Sequence, residues 1–313
     1  MSRPAPVLED VRMHRRAGLL YAVGAYGLWG FLPGYFLLLA PSGPFEVVAG
    51  RVILSLAFCA LLLTITRGWR SVADVLRSPR LALIMGVAAA LISVNWLVFV
   101  FAALNGQVLA SSLGYFINPL FTVLLGVVVL RESLRPLQWL AMGFGAVAII
   151  VLAIGLGEIP WISLALAGSF GLYGLIKKQA GPRVGAVSGL TVETMWLTVP
   201  AVVVLLVLAS GPGIAAGANG PVHLALFLMS GVATAVPLLL FAAGARRLPL
   251  VTIGLVQYLA PILQFILGAF VLHEAMPPER WVGFGLVWVA LVVLTIDMLV
   301  EGRMSRRALP EPL

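Results

Sequence analysis

The sequence predicts an all-α integral membrane protein: ten transmembrane helices in two inverted five-helix repeats around a central cavity. Three observations predict it. First, the 313-residue chain is 61% hydrophobic and only 10% charged, with a mean hydropathy of +1.08; a soluble globular chain carries roughly a quarter charged residues. Second, its apolar runs are about 20 residues long, the length that crosses a bilayer's hydrocarbon core as a helix. Third, residues 108–139 recur as residues 250–281, displaced by 142 positions. At that displacement Pro119 meets Pro261, Gly126 meets Gly268, Glu132 meets Glu274, Pro136 meets Pro278 and Trp139 meets Trp281.

Taken in order, the apolar runs place spans at about 17–40, 47–66, 81–103, 108–130, 137–155, 159–176, 187–208, 222–244, 250–272 and 280–299. The first follows Arg12, Arg15 and Arg16. It is too long for the h-region of a signal peptide, so it reads as an uncleaved span. Turn-forming residues such as Pro41-Ser42-Gly43-Pro44 and Asn105-Gly106 separate neighbours, and no connector is long enough for a second domain. This divides the chain into a tail (1–16), a first repeat (17–155), a second repeat (156–299) and a C-terminal tail (300–313).

The basic residues set the orientation. Eighteen of the twenty lysines and arginines lie on the N-terminal tail, the even connectors and the C-terminal tail; only Arg280 lies on an odd connector, and Arg51 lies within a span. The positive-inside rule then puts both termini in the cytoplasm. Because five spans is an odd number, the second copy enters from the opposite side, which makes the repeat inverted, an arrangement typical of secondary transporters. The same dispersal of basic residues argues against a nucleic-acid partner despite the net charge of +8. The bilayer itself is the expected partner surface. Oligomeric state is not read from the sequence. Cys59, the single cysteine, reads as a small buried hydrophobe, with no disulfide or thiolate metal site.

Glycines 24, 27 and 30 in the first span are echoed by 168, 171 and 174 in the sixth, and Trp29 is answered by Tyr173. Such stripes let a neighbouring helix approach closely. In the fourth and ninth spans Pro119 and Pro261 fall at the midpoint, so the carbonyls of Tyr115 and Gln257 lose their helical donors. Helix breaks of this kind are tolerated in lipid where they line a polar cavity. Ser111, Tyr115 and Asn118 share one face of the fourth span, and Gln257, Pro261 and Gln264 repeat that spacing in the ninth. With Asn95, Trp96 and Tyr258 they outline a substrate pocket whose aromatic walls are Trp29, Trp96 and Tyr173.

Few ionisable groups lie within the spans. Arg51 sits near the outer end of the second, five residues after Glu46, a candidate ion-pair partner; Glu193 sits near the cytoplasmic end of the seventh and is the candidate for proton coupling. The repeat pairs Glu46 with Glu193 only at a shifted offset. His14, His223 and His273 have no metal-ligand spacing, and neither a nucleophile elbow, a zinc-binding HExxH nor a Walker-type loop is present. No cofactor or metal is expected, and any uphill transport must draw on an ion gradient or a partner.

Asn95-Trp96, Asn105-Gly106, the string LGYFINP from Leu113 to Pro119, and Arg131-Glu132 through Gln138-Trp139 resemble RarD proteins of the EamA group, within the drug/metabolite transporter superfamily. The resemblance covers nearly the whole chain. It implies a bacterial inner-membrane transporter with ten helices in inverted halves around a central cavity; the family's name reflects chloramphenicol sensitivity and specifies no substrate. The sequence is therefore expected to encode a secondary transporter, an exporter of small organic metabolites or drugs working by alternating access, and not an enzyme. The rival is a membrane receptor or scaffold that moves no solute, which would favour a longer soluble loop for docking. Alkaline phosphatase fused after Ser42 is expected to be active and after Gly68 inactive; activity only at Gly68 would overturn the orientation.

Overall fold

Proline marks where many of the helices begin. It lacks an N–H and has φ preset for the first turn, where no helical acceptor exists. In the computed structural model, which describes residues 5–131, 133–180, 184–245, 247–248 and 250–307, Pro44, Pro79, Pro136, Pro221 and Pro278 open α2 (Pro44–Ile65), α4 (Pro79–Leu104), α6 (Pro136–Leu156), α9 (Pro221–Ala245) and α12 (Pro278–Arg307). The others are α1 (Ala5–Leu37), α3 (Trp69–Leu76), α5 (Val108–Leu130), α7 (Trp161–Ala180), α8 (Ala186–Ser210), α10 (Leu250–Val256) and α11 (Leu259–Ile266), the last running into a π-helical stretch, Leu267–Val271. The described residues contain no strand.

Eight helical segments among the described residues are long and apolar enough to cross a membrane. They coincide with the second to fifth and seventh to tenth predicted spans. The first span falls within α1, and the sixth within α7, whose apolar part, Trp161–Lys177, is shorter. Three boundaries differ from expectation. Helix α1 starts in the tail, at Ala5, and α12 continues to Arg307, because helical hydrogen bonding does not stop where hydrophobicity does. The connector after α2 folds into α3, which buries Val72 and Val75 against Leu63, Met85 and Ala88.

The prolines act differently from one another. Helix α5 runs unbroken through Pro119, which corrects the expectation of a break there. The ninth span does break, at Gln257-Tyr258, between α10 and α11. Pro261 then sits in the first turn of α11, where its missing N–H would have had no helical partner. Both segments end alike: Arg131 and His273, again 142 residues apart, adopt left-handed φ of 56° and 52°.

Packing joins early helices to late ones. Helix α1 packs on α9 and α11, α7 on α4 and α5, α2 on α8 and α9, and α6 on α12. The glycine stripes serve this only in part. Gly30 receives Leu263 and Gly24 faces Leu240, while Gly171 and Gly168 receive Phe121. Gly27 and Gly174 have open space beside them. Leu263 and Phe121 are themselves 142 residues apart. The tightest approach to another backbone is at Gly231, where a Cβ would collide with Leu54.

The start of α5 is capped from a distance. The amides of Val108 and Leu109 donate to the two oxygens of Glu274, at 2.6 and 2.9 Å, which answers two of the four donors that a helix start leaves free. Its repeat mate Glu132 lies outside the described residues. Burial pushes the Glu274 carboxyl above its ordinary range, outweighing the two amides and Arg280. A carboxyl raised on folding favours the fold while protonated, so this contribution is present at low pH and is lost as pH rises through the folded-state pKa. The apparent melting temperature in detergent is expected to fall with rising pH from about 4.5 upward, and the slope to flatten in Glu274→Gln; identical slopes would remove Glu274 as the source.

Candidate functional site

The buried polar groups gather into two clusters, one on α2 and one on α8. Arg51 stands seven residues after the first residue of α2, and Glu193 seven residues after the first residue of α8, each about 10 Å along its helix. The 142-residue displacement carries Arg51 onto Glu193 and Tyr35 onto Lys177. Glu193 is thus the repeat mate of Arg51, not a shifted partner of Glu46.

Around Arg51 the geometry is specific. The side chain is 4% exposed. Its Nε donates to Thr234 Oγ1 of α9 at 2.8 Å, and its guanidinium lies over the Trp96 ring of α4 at 4.3 Å and the Phe36 ring of α1 at 5.5 Å. Delocalised, weakly hydrated guanidinium suits such stacking. Tyr35 and Tyr115 lie close enough to the charge to interact with it electrostatically. The Tyr115 hydroxyl donates to Asn95 Oδ1 at 3.1 Å, and Asn95 Nδ2 donates to the Leu166 carbonyl and to Ser169 Oγ of α7. The predicted Asn95, Trp96 and Tyr115 therefore do meet, and they meet at Arg51.

The expected Glu46–Arg51 pair does not form. Glu46 is buried, but its two oxygens accept the amides of Ala215 and Ala216 in the turn after α8, at 3.2 and 2.7 Å. Helical spacing explains this, since residues five apart point in different directions.

At the other cluster, Glu193 is 2% exposed and pairs with Lys177 at 2.7 Å, while the Tyr173 hydroxyl lies 3.4 Å from both its oxygens. Lys177, counted from the sequence as a connector residue, belongs to α7 and turns back to the carboxylate. Tyr173 and Trp96 share one apolar cluster, whereas Trp29 meets Tyr26 and Phe241 and packs, as Tyr115 does, against the cluster of Phe36 and Phe99.

The remaining predicted residues flank the broken ninth span. Pro33 leaves the Trp29 carbonyl without its helical donor, and Gln264 Nε2 supplies one from α11 at 3.2 Å. Ser112 Oγ donates to the Pro261 carbonyl at 2.8 Å. Gln257 and Tyr258 form the turn itself and are half-buried. Seven buried side-chain polar atoms among the described residues find no hydrogen-bond partner: Arg51 Nη1, Ser111 Oγ, Asn118 Oδ1 and Gln264 Oε1 at residues singled out from the sequence, and Ser42 Oγ, Ser55 Oγ and Ser230 Oγ besides. Among the described residues, no group of three or more His, Cys, Asp or Glu could hold a metal. Sequence reasoning missed Tyr35, Ser169, Lys177 and Thr234; for Tyr35 and Lys177 the signal was present in the 142-residue displacement.

No family model matches the chain. Curated relatives do. It is 48% identical over 295 residues to "Protein RarD" of Streptomyces exfoliatus, covering 94% of this chain and 93% of that protein. The chain belongs to the RarD family. RarD proteins fall within the EamA group of drug/metabolite transporters. At 38% identity "Protein RarD" of Escherichia coli is covered over 98% of its length, and at 40% the "Uncharacterized transporter YojE" of Bacillus subtilis over 97%. A protein of known crystal structure superposes with a TM-score of 0.57 at 18% identity, over 90% of this chain and 98% of that one, a likeness of fold alone.

In this RarD family member the Trp29–Gln264 bond is testable by itself. Gln264→Leu is expected to cost about 1–3 kcal/mol, the penalty of an unanswered buried carbonyl, read as a lower melting temperature. Pro33→Ala, which restores a helical donor to Trp29, should recover most of that loss in the double variant; simple additivity would refute the link.

Proposed function

We propose that this RarD family member is a secondary transporter of small organic solutes in a bacterial inner membrane, working by alternating access between two inverted five-helix halves. One observation carries the reading. Helices apolar enough to span lipid bring polar side chains together in their interior and leave Arg51 Nη1, Ser111 Oγ, Asn118 Oδ1 and Gln264 Oε1 without protein partners. A purely structural core satisfies such groups, and unsatisfied polar or charged groups inside a membrane bundle mark solute pathways. Relatives carrying the printed name "Uncharacterized transporter" agree with it.

Ten crossings result when α1, from its apolar run at Ala17, and α7 are added to the eight apolar segments. The exchange packing supports inversion: α1 meets α9 and α11 as α7 meets α4 and α5, and Leu263 seats on Gly30 as Phe121 seats on Gly171. In the proposed cycle the halves rock about α5 and the broken α10–α11, with both termini in the cytoplasm and export as the working direction. Glu193 is the coupling group. Protonation would release Lys177, and with no Walker loop in the sequence any uphill transport draws on an ion gradient or a partner, of which this reading takes the gradient. Trp29, Asn95, Trp96, Ser111, Tyr115, Asn118, Tyr173, Gln257, Tyr258 and Gln264 are proposed to line the solute's path.

The test is solute flux into reconstituted vesicles from a metabolite mixture, read by mass spectrometry with and without a proton gradient. Glu193→Gln is expected to abolish the response to the gradient. Tyr115→Ala and Gln257→Ala should each lower flux about fivefold, the equivalent of one hydrogen bond. Wild-type flux that ignores the gradient removes the coupling role; no flux of any solute favours a receptor or scaffold.

A further inference from the structure

The two repeat-related clusters differ in charge. On α8 the carboxylate of Glu193 is answered by Lys177. On α2 the equivalent position is a cation, and the place of Lys177 is taken by the neutral Tyr35, whose hydroxyl donates to the Leu226 carbonyl instead. Among the described residues no carboxylate lies within ion-pair distance of Arg51. Glu46, the nearest acid in sequence, has both oxygens on backbone amides. Thr234 occupies Nε, the Trp96 and Phe36 rings cover the guanidinium, and Nη1 remains buried with no acceptor. A buried guanidinium left without an anion is strongly unfavourable, and one with a donor unmade is more so.

We propose that the counter-ion of Arg51 is the solute: the site takes an organic anion whose carboxylate pairs with Arg51 and whose apolar body lies among Trp96, Phe36, Phe99 and Tyr115. The inference rests on the transporter reading and names the substrate class for it. A planar carboxylate matches the donors of one guanidinium. A phosphate dianion would call for a second cation, and the nearest groups here are hydroxyls and rings. The aromatic walls are continuous, with Phe36 against Phe99 at 5.9 Å and Phe99 against Tyr115 at 5.6 Å. Tyr115 and Asn95 hold one another beside these rings and would meet the second carboxylate oxygen or a polar substituent.

The test uses the full-length protein in detergent and in vesicles, with benzoate, phenylacetate and indole-3-acetate, each set against its uncharged primary amide. At least one acid is expected to raise the melting temperature of the wild type, and its amide to fail. In Arg51→Gln that protection should vanish; in Arg51→Lys, which keeps the charge but loses the fork, binding should weaken about tenfold or more. Protection by amides equal to that by acids, or no protection by any acid, overturns the proposal on the wild-type protein alone, whether or not a variant folds. Full protection in Arg51→Gln overturns it too. The two readings fail separately. Acid binding without flux removes transport and leaves the anion site; flux confined to neutral or cationic solutes removes the anion site and leaves transport.

Discussion

Lipid does not hydrogen-bond, so a bundle that lies within it must answer every freed carbonyl and buried charge from its own side chains. That demand organises this molecule. The side-chain hydrogen bonds that reach farthest along the chain join residues before position 156 to residues after it. Gln264 serves Trp29, Ser112 serves Pro261, Ser163 serves Ala110, Asn95 serves Leu166, Tyr35 serves Leu226, and Arg51 reaches Thr234. These bonds tie the parts of the chain on either side of that position to one another.

The same demand explains how differently two matched prolines behave. Pro119 and Pro261 occupy equivalent places in the repeat, yet α5 continues through the first and the chain turns just before the second. Both leave a carbonyl without a donor, and a helix can tolerate one such loss or restart after it. The restart at Tyr258 converts Pro261 into a first-turn residue and leaves Gln257 and Tyr258 as a half-buried polar turn. A bundle with one continuous and one broken member has a built-in asymmetry between its halves. The charges repeat it: an answered carboxylate on α8 and an unanswered guanidinium on α2.

Much of this was legible beforehand. Apolar length located every long helix, because burial of backbone polar groups leaves few other structures for such runs. The prolines that open α2, α4, α6, α9 and α12 stand one to three residues before the apolar runs begin, so hydropathy alone placed those starts slightly late. Asn95, Trp96 and Tyr115 were recognisable as an interior polar group because their residue types are costly in lipid unless partnered. Less legible were identities of partners. Glu46 was five residues from Arg51 and of opposite charge, yet helix rotation sends it to the amides of Ala215 and Ala216. Lys177 looked like one more positive charge on a connector, until α7 carried it one turn further and folded it onto Glu193. The helix α3 was hidden in a connector too short and too charged to read as a span, and of its apolar residues only Val72 and Val75 are buried.

What the sequence by itself determined is the class of structure and its internal repetition: hydropathy, proline placement and the 142-residue echo are properties of the chain read along its length. What only the tertiary structure decided is who answers whom. Partnership depends on helix rotation and on contacts between segments more than a hundred residues apart, and neither is encoded in local pattern. Arg51 over Trp96, with Thr234 on one nitrogen and nothing from the protein on another, is such a decision.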